Sequence, residues 1–490
     1  MNLADFLLGG RDAMARAIDG VGGPVTYGVI ADAVARVSTM VAGRFAEGDR
    51  IAVLATNSAF FATSYIGIAG AGCVAVLLDR GAPDDVLAEQ IRRVGARAVF
   101  VQEKARGKLG KIDLPVFDET ACAGLPAAAA MASVRRGEDD DPAVILFTSG
   151  STGQRKGVLL SHRNLIANTL SIIAYQELRA TDRACAVLPF HYSYGLSVLN
   201  THLAVGGTVV LPRTMFLGAV VQDLKTHRCT NLAGVPTTYA ILLRKTDFLA
   251  HRYPDLRFVS QAGGRMPPEM VDELRRGLPG VDVYAMYGQT EASARLSYLP
   301  PALADAKQGS IGQGIPGVEL RVVDEDGNPV RPGETGEVVA KGDNVMIGYD
   351  GDPEATARVL RGGWLWTGDS ATVDEDGFIY LQARRNDVIK SAGYRFHPQE
   401  VEDIIMSDPG VAVCAVVGTD DPLRGEVPVA FLVPVDRSFG AALAGRIGAL
   451  AQQRLPSYMQ PARIVLRDAL PMTPTGKPDR PALRALATQP

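Results

Sequence analysis

Between two apolar runs, the stretch Leu146-Phe147-Thr148-Ser149-Gly150-Ser151-Thr152-Gly153-Gln154-Arg155-Lys156-Gly157-Val158 gathers four hydroxyls, three glycines and a lysine. The glycines let the backbone turn tightly and approach a ligand closely. Amide N–H and hydroxyl groups donate to phosphoryl oxygens, and the Lys156 ammonium offsets their charge. The stretch therefore reads as a phosphate-binding turn, with Thr148, Ser149, Gly150, Ser151, Thr152, Gly153 and Lys156 as its contacts. A flexible Gly/Ser linker has a similar composition, but a mobile linker is seldom set between apolar runs. The P-loop of ATPases fails on spacing: it needs four residues between its glycines and then Lys-Ser or Lys-Thr. Here Lys156 follows Gly153 by three residues and precedes Gly157.

The elements that must position this turn follow from hydrophobic periodicity. Residues 143–147 read as a buried strand, and Val158-Leu159-Leu160 as a second. Over 26–45, Ile30, Val34, Val37 and Val41 recur at helical spacing before a strand at 51–54; the alternation returns at 86–94 with 98–101 and at 218–226 with 231–235. Such alternation predicts an α/β fold: parallel-rich sheets flanked by helices. Its ligands sit beyond the carboxyl ends of strands, where the turn after Phe147 falls. Residues 58–78, with Gly67, Gly70 and Gly72, predict a buried helix running into a strand, and Ser161 caps a helix reaching about Tyr175. From about 319 to 384, short strands separated by turns predict a small β-rich subdomain. From Pro398 onward a helix, strands and a second helix predict an independent α+β unit. The expected domains are 1–384 and 387–490, with a boundary at Arg385 and Asn386.

The 490 residues are 47% hydrophobic and 21% charged, with a formal net charge of −4, which gives no electrostatic case for nucleic acid. Cys73, Cys122, Cys185, Cys229 and Cys414 are far apart and form no Cys-x-x-Cys, which argues against zinc or a disulfide framework and fits a cytoplasmic protein. No signal peptide and no membrane span are expected.

Further segments recur in a fixed order: Pro189-Phe190-His191-Tyr192-Ser193-Tyr194-Gly195-Leu196, Gln261-Ala262-Gly263-Gly264, Tyr284-Ala285-Met286-Tyr287-Gly288-Gln289-Thr290-Glu291, Trp364-Leu365-Trp366-Thr367-Gly368-Asp369, residues 384–395, and Pro474-Thr475-Gly476-Lys477. With the glycine-rich turn, and spread over most of the chain, they resemble the signatures of the adenylate-forming superfamily: acyl-CoA synthetases, adenylation domains of peptide synthetases and luciferases, the AMP-dependent synthetases and ligases. That resemblance implies a large N-terminal domain that binds ATP and an acid, and a small mobile C-terminal domain.

The reaction it implies sets a carboxylate against the α-phosphate of ATP while pyrophosphate leaves, so catalysis rests on charge neutralisation and alignment. Glu291 is the expected Mg2+ ligand, because a hard cation prefers carboxylate oxygen; a Glu at a helix start has a plainer use in the dipole. By resemblance Thr290 contacts the α-phosphate and Tyr287 stacks on adenine, with Ala285, Met286 and Gly288 around it. Asp369 accepts from the ribose hydroxyls, beside Arg384. Lys477, otherwise an ordinary solvated charge, bridges acid and α-phosphate. Rotation of the C-terminal domain then withdraws it and presents Lys390, Ala392 and Gly393 on the acceptor side. His191, Tyr192, Tyr194, Tyr239, Gly263 and Gly264 are expected to line the acid pocket; the family also uses the His191 position to gate the two half-reactions, but here the lining role alone is expected.

The chain departs from the family pattern at Asn386 in the hinge, at Val76-Leu77-Leu78-Asp79-Arg80, which replaces Pro-Leu-Asn-Pro, and at Pro478. No Asp occurs from 189 to 200 to pair with an ammonium, so an α-amino acid is not expected. The expected substrate is a small aromatic, alicyclic or medium-chain carboxylic acid, and the expected acceptor is coenzyme A. A carrier protein's pantetheine or an amine would need the same nucleotide residues. A non-catalytic relative would have lost Lys477, Glu291 or Asp369, and a luciferase-like oxidase would share only the first step.

Overall fold

A computed structural model of the chain describes all residues except 111, 127–138, 149–154, 215–216, 383–388, 437–438, 474–475 and 489–490, with residue 395 described by its backbone alone. The charged run at 135–142, which its composition marks as a solvated connector, the tip of the glycine-rich turn and the hinge with Arg384, Arg385 and Asn386 thus lie wholly or partly outside the described residues.

Two parallel-rich sheets form the body, as the helix–strand alternation predicts. One has seven strands, in which Pro142–Thr148, Val74–Leu77, Arg50–Leu54, Ala98–Val101 and Val116–Phe117 run parallel. The other has nine, with a parallel centre of Asp282–Tyr287, Phe258–Gln261, Asn231–Gly234, Arg183–Cys185, Thr208–Leu211 and Arg16–Gly20. One core unites them through the helices Tyr27–Arg44, Ala59–Gly70 and Ser193–Val205. The expected helix after Ser58 is buried almost throughout, and a Cβ on Gly67 would lie 2.6 Å from Val37 Cγ1, so the glycine lets two helices touch.

The β-rich expectation also holds: Val318–Val323, Thr335–Gly342, Trp364–Val373, Leu360–Arg361 and Ile379–Leu381 form an antiparallel sheet. One segment inside that range behaves otherwise. Gly348–Tyr349 pairs antiparallel with Lys156–Ser161 and closes what would be an exposed strand edge. The C-terminal region folds on its own five-stranded sheet and core, with helices Pro398–Met406 and Gly440–Arg454 and a third, Arg480–Ala487, which the sequence pattern did not suggest.

Ser161 caps the helix His162–Gln176 in a reciprocal box with Asn164, whose amide also donates to the Asp343 carbonyl at 2.8 Å and ties the helix to the β-rich part. His162 is fully buried, and its Nδ1 accepts from the Leu3 N–H at 3.1 Å. Burial pushes its pKa down from 6.5 to about 4. Between these values the unfolded chain binds a proton that the folded chain refuses. Stability should therefore fall by up to about 1.4 kcal/mol per pH unit on acidification through that window. Denaturant titrations from pH 7 to 4 should show a smaller slope in His162→Gln; an unchanged slope would remove this histidine from the account.

Candidate active site

The stems of the glycine-rich turn are fixed by register: Thr148 at the end of Pro142–Thr148 pairs with Lys156 at the start of Lys156–Ser161. The turn therefore opens at the carboxyl end of the parallel strands. The Lys156 ammonium lies 4.6 Å from the centre of the Tyr349 ring, and the Tyr349 hydroxyl donates to Glu291 Oε1 at 2.9 Å. Sheet pairing at Gly348–Tyr349 thereby links two residues that are far apart in sequence. Burial together with the Glu291 charge pushes the Tyr349 phenol well above its usual range.

A cleft of ≈ 680 Å³ runs between the carboxyl ends of Phe258–Gln261 and Asp282–Tyr287 and the C-terminal domain; Ala285, Met286, Tyr287, Gly288, Asp369 and Lys477 all line it. The Tyr287 hydroxyl donates to Asp369 Oδ2 at 2.7 Å, which brings the expected adenine and ribose contacts together. Thr290 is buried, with its hydroxyl 3.2 Å from that of Ser193 at the start of Ser193–Val205. Gly288 is required by contact: a Cβ there would lie 2.0 Å from the Ala294 carbonyl oxygen.

Lys477 reaches this cleft on a loop closed at its base, where the Thr473 N–H donates to the Lys477 carbonyl at 2.7 Å. From the other side, the Thr237 hydroxyl donates to the Gly476 carbonyl. The chain then enters the helix after Asp479, and Arg480 clamps the buried Glu402 at 2.9 and 3.1 Å. A Cβ on Gly263, where φ is +86°, would lie 3.3 Å from Lys477 Cε and 3.0 Å from the Tyr192 hydroxyl. Gly263 thus leaves the gap across which the expected acid pocket and the lysine face each other. Lys245, which donates to the Pro434 and Val435 carbonyls, and Arg265, 3.2 Å from Asp403, also bridge the two parts of the chain.

Not every expected residue falls at this gap. Tyr239 is fully buried, and its hydroxyl donates to the Leu232 and Ser260 carbonyls at 2.8 Å each; Tyr194 is likewise buried, and its hydroxyl donates to Ser260. Both are core tyrosines beneath the site, because their polar ends are consumed by backbone. Gly264, by contrast, is exposed beside Pro236 and lines the cleft next to Gly263. Lys390, Ala392 and Gly393 lie on the exposed hairpin of Ile389–Ser391 and Tyr394–Phe396 and do not line the cleft. Ser149, Gly150, Ser151, Thr152, Gly153 and Arg384 are outside the described residues. Sequence reasoning missed Tyr349, Arg265 and Arg295. Of these, Arg295 left a signal: a single charge set between Ala294 and Leu296, four residues after Glu291.

His191 is fixed through its neighbours: the Phe190 N–H donates to Asn57 Oδ1 at 2.8 Å, and Asn57 Nδ2 donates to the Leu188 carbonyl at 2.8 Å. Its Nε2 lies 3.5 Å from Asp79 Oδ1, the residue that departs from the family turn. Burial lowers the His191 pKa, Asp79 opposes this, and Arg155 adds to it. Asp79→Asn, by removing a counter-charge, should lower the imidazole's titration further, as read by its ring-proton NMR shifts against pH. A rise would contradict this arrangement.

A two-lobed α/β fold, with a nucleotide-type cleft and a lysine reaching it from the C-terminal lobe, defines an adenylate-forming architecture. The chain belongs to the AMP-binding enzyme family: residues 9–350 match the AMP-binding enzyme model and residues 400–477 the AMP-binding enzyme C-terminal domain. It is 35% identical over 477 residues to a feruloyl-CoA synthase of an Amycolatopsis species, covering 94% of both chains. Its fold matches the anthranilate CoA ligase AuaEII, solved with anthranoyl-AMP, at a TM-score of 0.90 and 26% identity, covering 99% and 97% of the two chains. It also matches the amide bond synthetase McbA of Marinactinospora thermotolerans at 0.85 and 26%, covering 99% of each.

Proposed function

We propose that the protein activates a small carboxylic acid with ATP and passes the acyl group to coenzyme A. In the first step a carboxylate oxygen attacks the α-phosphorus, the bond to the bridging oxygen breaks, and pyrophosphate leaves. In the second the thiol sulfur attacks the acyl carbon, its proton passes to solvent, and AMP departs. The observation that carries this reading is Lys477 beside Gly263 in the same cleft as the Tyr287–Asp369 pair. Whole-length similarity to acyl-CoA ligases supports the thioester product.

The residues take these parts. Tyr287 and Asp369 hold adenine and ribose, and Thr148, Lys156 and Thr290 meet the phosphates. Lys477 neutralises charge where carboxylate and α-phosphate converge. Mg2+ fits Glu291, whose carboxylate is held in place by Tyr349. Among the described residues no group of three or more His, Cys, Asp or Glu could hold a metal ion. When bound, the ion would reduce the negative charge on the phosphates. The C-terminal domain, proposed to begin at 387, turns about 385–386 to exchange Lys477 for the Lys390, Ala392 and Gly393 hairpin, and His191 lines the acid side. Cys73, Cys122, Cys185, Cys229 and Cys414 are free thiols, in keeping with a cytoplasmic setting, and no described helix is long and apolar enough to cross a membrane. The likeness to an amide bond synthetase keeps an amine acceptor as the second reading.

Pyrophosphate release across a panel of acids, repeated with coenzyme A, carrier protein and simple amines and read by product mass, tests the assignment. Coenzyme A thioester is the expected product; amide alone would transfer the proposal to the second reading, and silence with every acid would end it. Lys477→Ala should slow pyrophosphate exchange by about 10²–10³-fold while still converting a supplied acyl-adenylate to thioester. Equal loss in both assays would remove the lysine from the first step.

A further inference from the structure

Arg295 is 1% exposed, yet its Nε and Nη1 have no hydrogen-bond partner, and among the described residues no carboxylate pairs with it. Its guanidinium carbon lies over an aromatic instead, 4.4 Å from the centre of the Tyr194 ring. Tyr175, Tyr192 and Tyr194 are close enough for its charge to oppose the effect of burial, which pushes all three phenols up to about 12. Tyr192 is also the residue whose hydroxyl stands at the Gly263 gap. This cation, which no described carboxylate neutralises, also lies directly behind the cleft, since Gly288 lines the cleft and a Cβ there would lie 2.8 Å from Arg295 Cα.

The backbone holds this side chain in place from three directions. The Arg295 carbonyl accepts from Asn168 Nδ2 and Asn344 Nδ2 at 2.9 Å each. Ser293, two residues earlier, is at φ 64°, a conformation unusual for a non-glycine residue, and its hydroxyl donates to the Asn344 carbonyl at 2.8 Å. Gly288 lets the segment approach, since a Cβ there would lie 2.8 Å from Arg295 Cα. A buried guanidinium left with unused donors is costly, and the cost is recovered when an anion arrives.

We infer that Arg295 receives a second anionic group on the acid, so that the substrate is a dicarboxylic acid or an acid bearing an equivalent anionic substituent. One carboxylate faces Lys477 across the Gly263 gap, and the other reaches the guanidinium deeper among the tyrosines. Planar bidentate donation suits a carboxylate. The inference rests on the proposed acid-activating function and names the substrate class of that site.

Its test uses malonate through adipate and the benzenedicarboxylates, each beside the matching monocarboxylate. Binding is measured by calorimetry with a non-hydrolysable ATP analogue present, and pyrophosphate release is measured separately. Wild type should favour the dicarboxylate of the best-fitting pair by at least about 100-fold. Arg295→Met should collapse that ratio, mainly through KM, and Arg295→Lys should restore part of it; a thermal shift with the analogue checks that both variants fold. Equal use of the monocarboxylates by wild type, as would follow if Arg295 held the reacting carboxylate itself, overturns the inference and leaves the function standing. An unchanged ratio in folded Arg295→Met also overturns it. Dicarboxylate binding that needs Arg295 without any pyrophosphate release upholds the anion site and sinks the catalytic reading.

Discussion

The loop that delivers Lys477 is tied at both ends, and its two ties differ in kind. On the C-terminal side Arg480 makes a two-pronged, charge-assisted contact with Glu402, which burial would otherwise drive towards its neutral form. On the N-terminal side the Thr237 hydroxyl donates to the Gly476 carbonyl, with Lys245 and the half-exposed Arg265 as supports. A neutral hydrogen bond nets about 0.5–1.5 kcal/mol, and a solvent-exposed ion pair about 1 kcal/mol or less. The charged clamp fixes the loop within its own domain, and contacts of this smaller size set it against the other.

The same division separates what could be read in the sequence from what could not. The helix Tyr27–Arg44 was legible because burial of one face imposes a period of 3.6, and the strand Arg50–Leu54 because burial on both faces makes it a continuous apolar run. Gly348–Tyr349 was not, since two residues carry no period, and its role comes from the strand edge it covers. The helix Arg480–Ala487 was missed too, although Asp479 caps it and Pro481 lies in its first turn. The motifs located Lys477, Asp369 and Tyr287 at one cleft, but they could not distinguish a tyrosine in the wall from one beneath it. Tyr192 reaches the gap, whereas Tyr194 and Tyr239 spend their hydroxyls on backbone carbonyls.

Charge shows a deeper limit of sequence reading. A sequence displays an arginine or an aspartate but not its partner, and the energetic meaning of a buried charge lies wholly in that partner. Arg480 and Arg295 are both arginines in apolar surroundings: one is neutralised by Glu402, and the other faces tyrosine rings. Asp79 likewise looked like a substitution in a turn, and only the fold places its carboxylate 3.5 Å from His191.

The two jobs of the cleft are separated by the period of a β-strand. Along Phe258–Gln261 and Asp282–Tyr287 successive side chains face opposite sides of the sheet. Gln261, Ala285 and Tyr287 turn to the side that holds Asp369, whereas Ser260 and Tyr284 meet Tyr194 and Tyr175 on the other: Ser260 bonds Tyr194 and Tyr284 packs on Tyr175, while Met286 lines the cleft and its sulfur also accepts from Tyr175. Gly263, just past the strand end, leaves the opening between the two sides. Because a strand cannot slip by one residue without exposing its core, a change on one face leaves the other in register. The Arg295 guanidinium meets the tyrosine face, 4.4 Å from the centre of the Tyr194 ring.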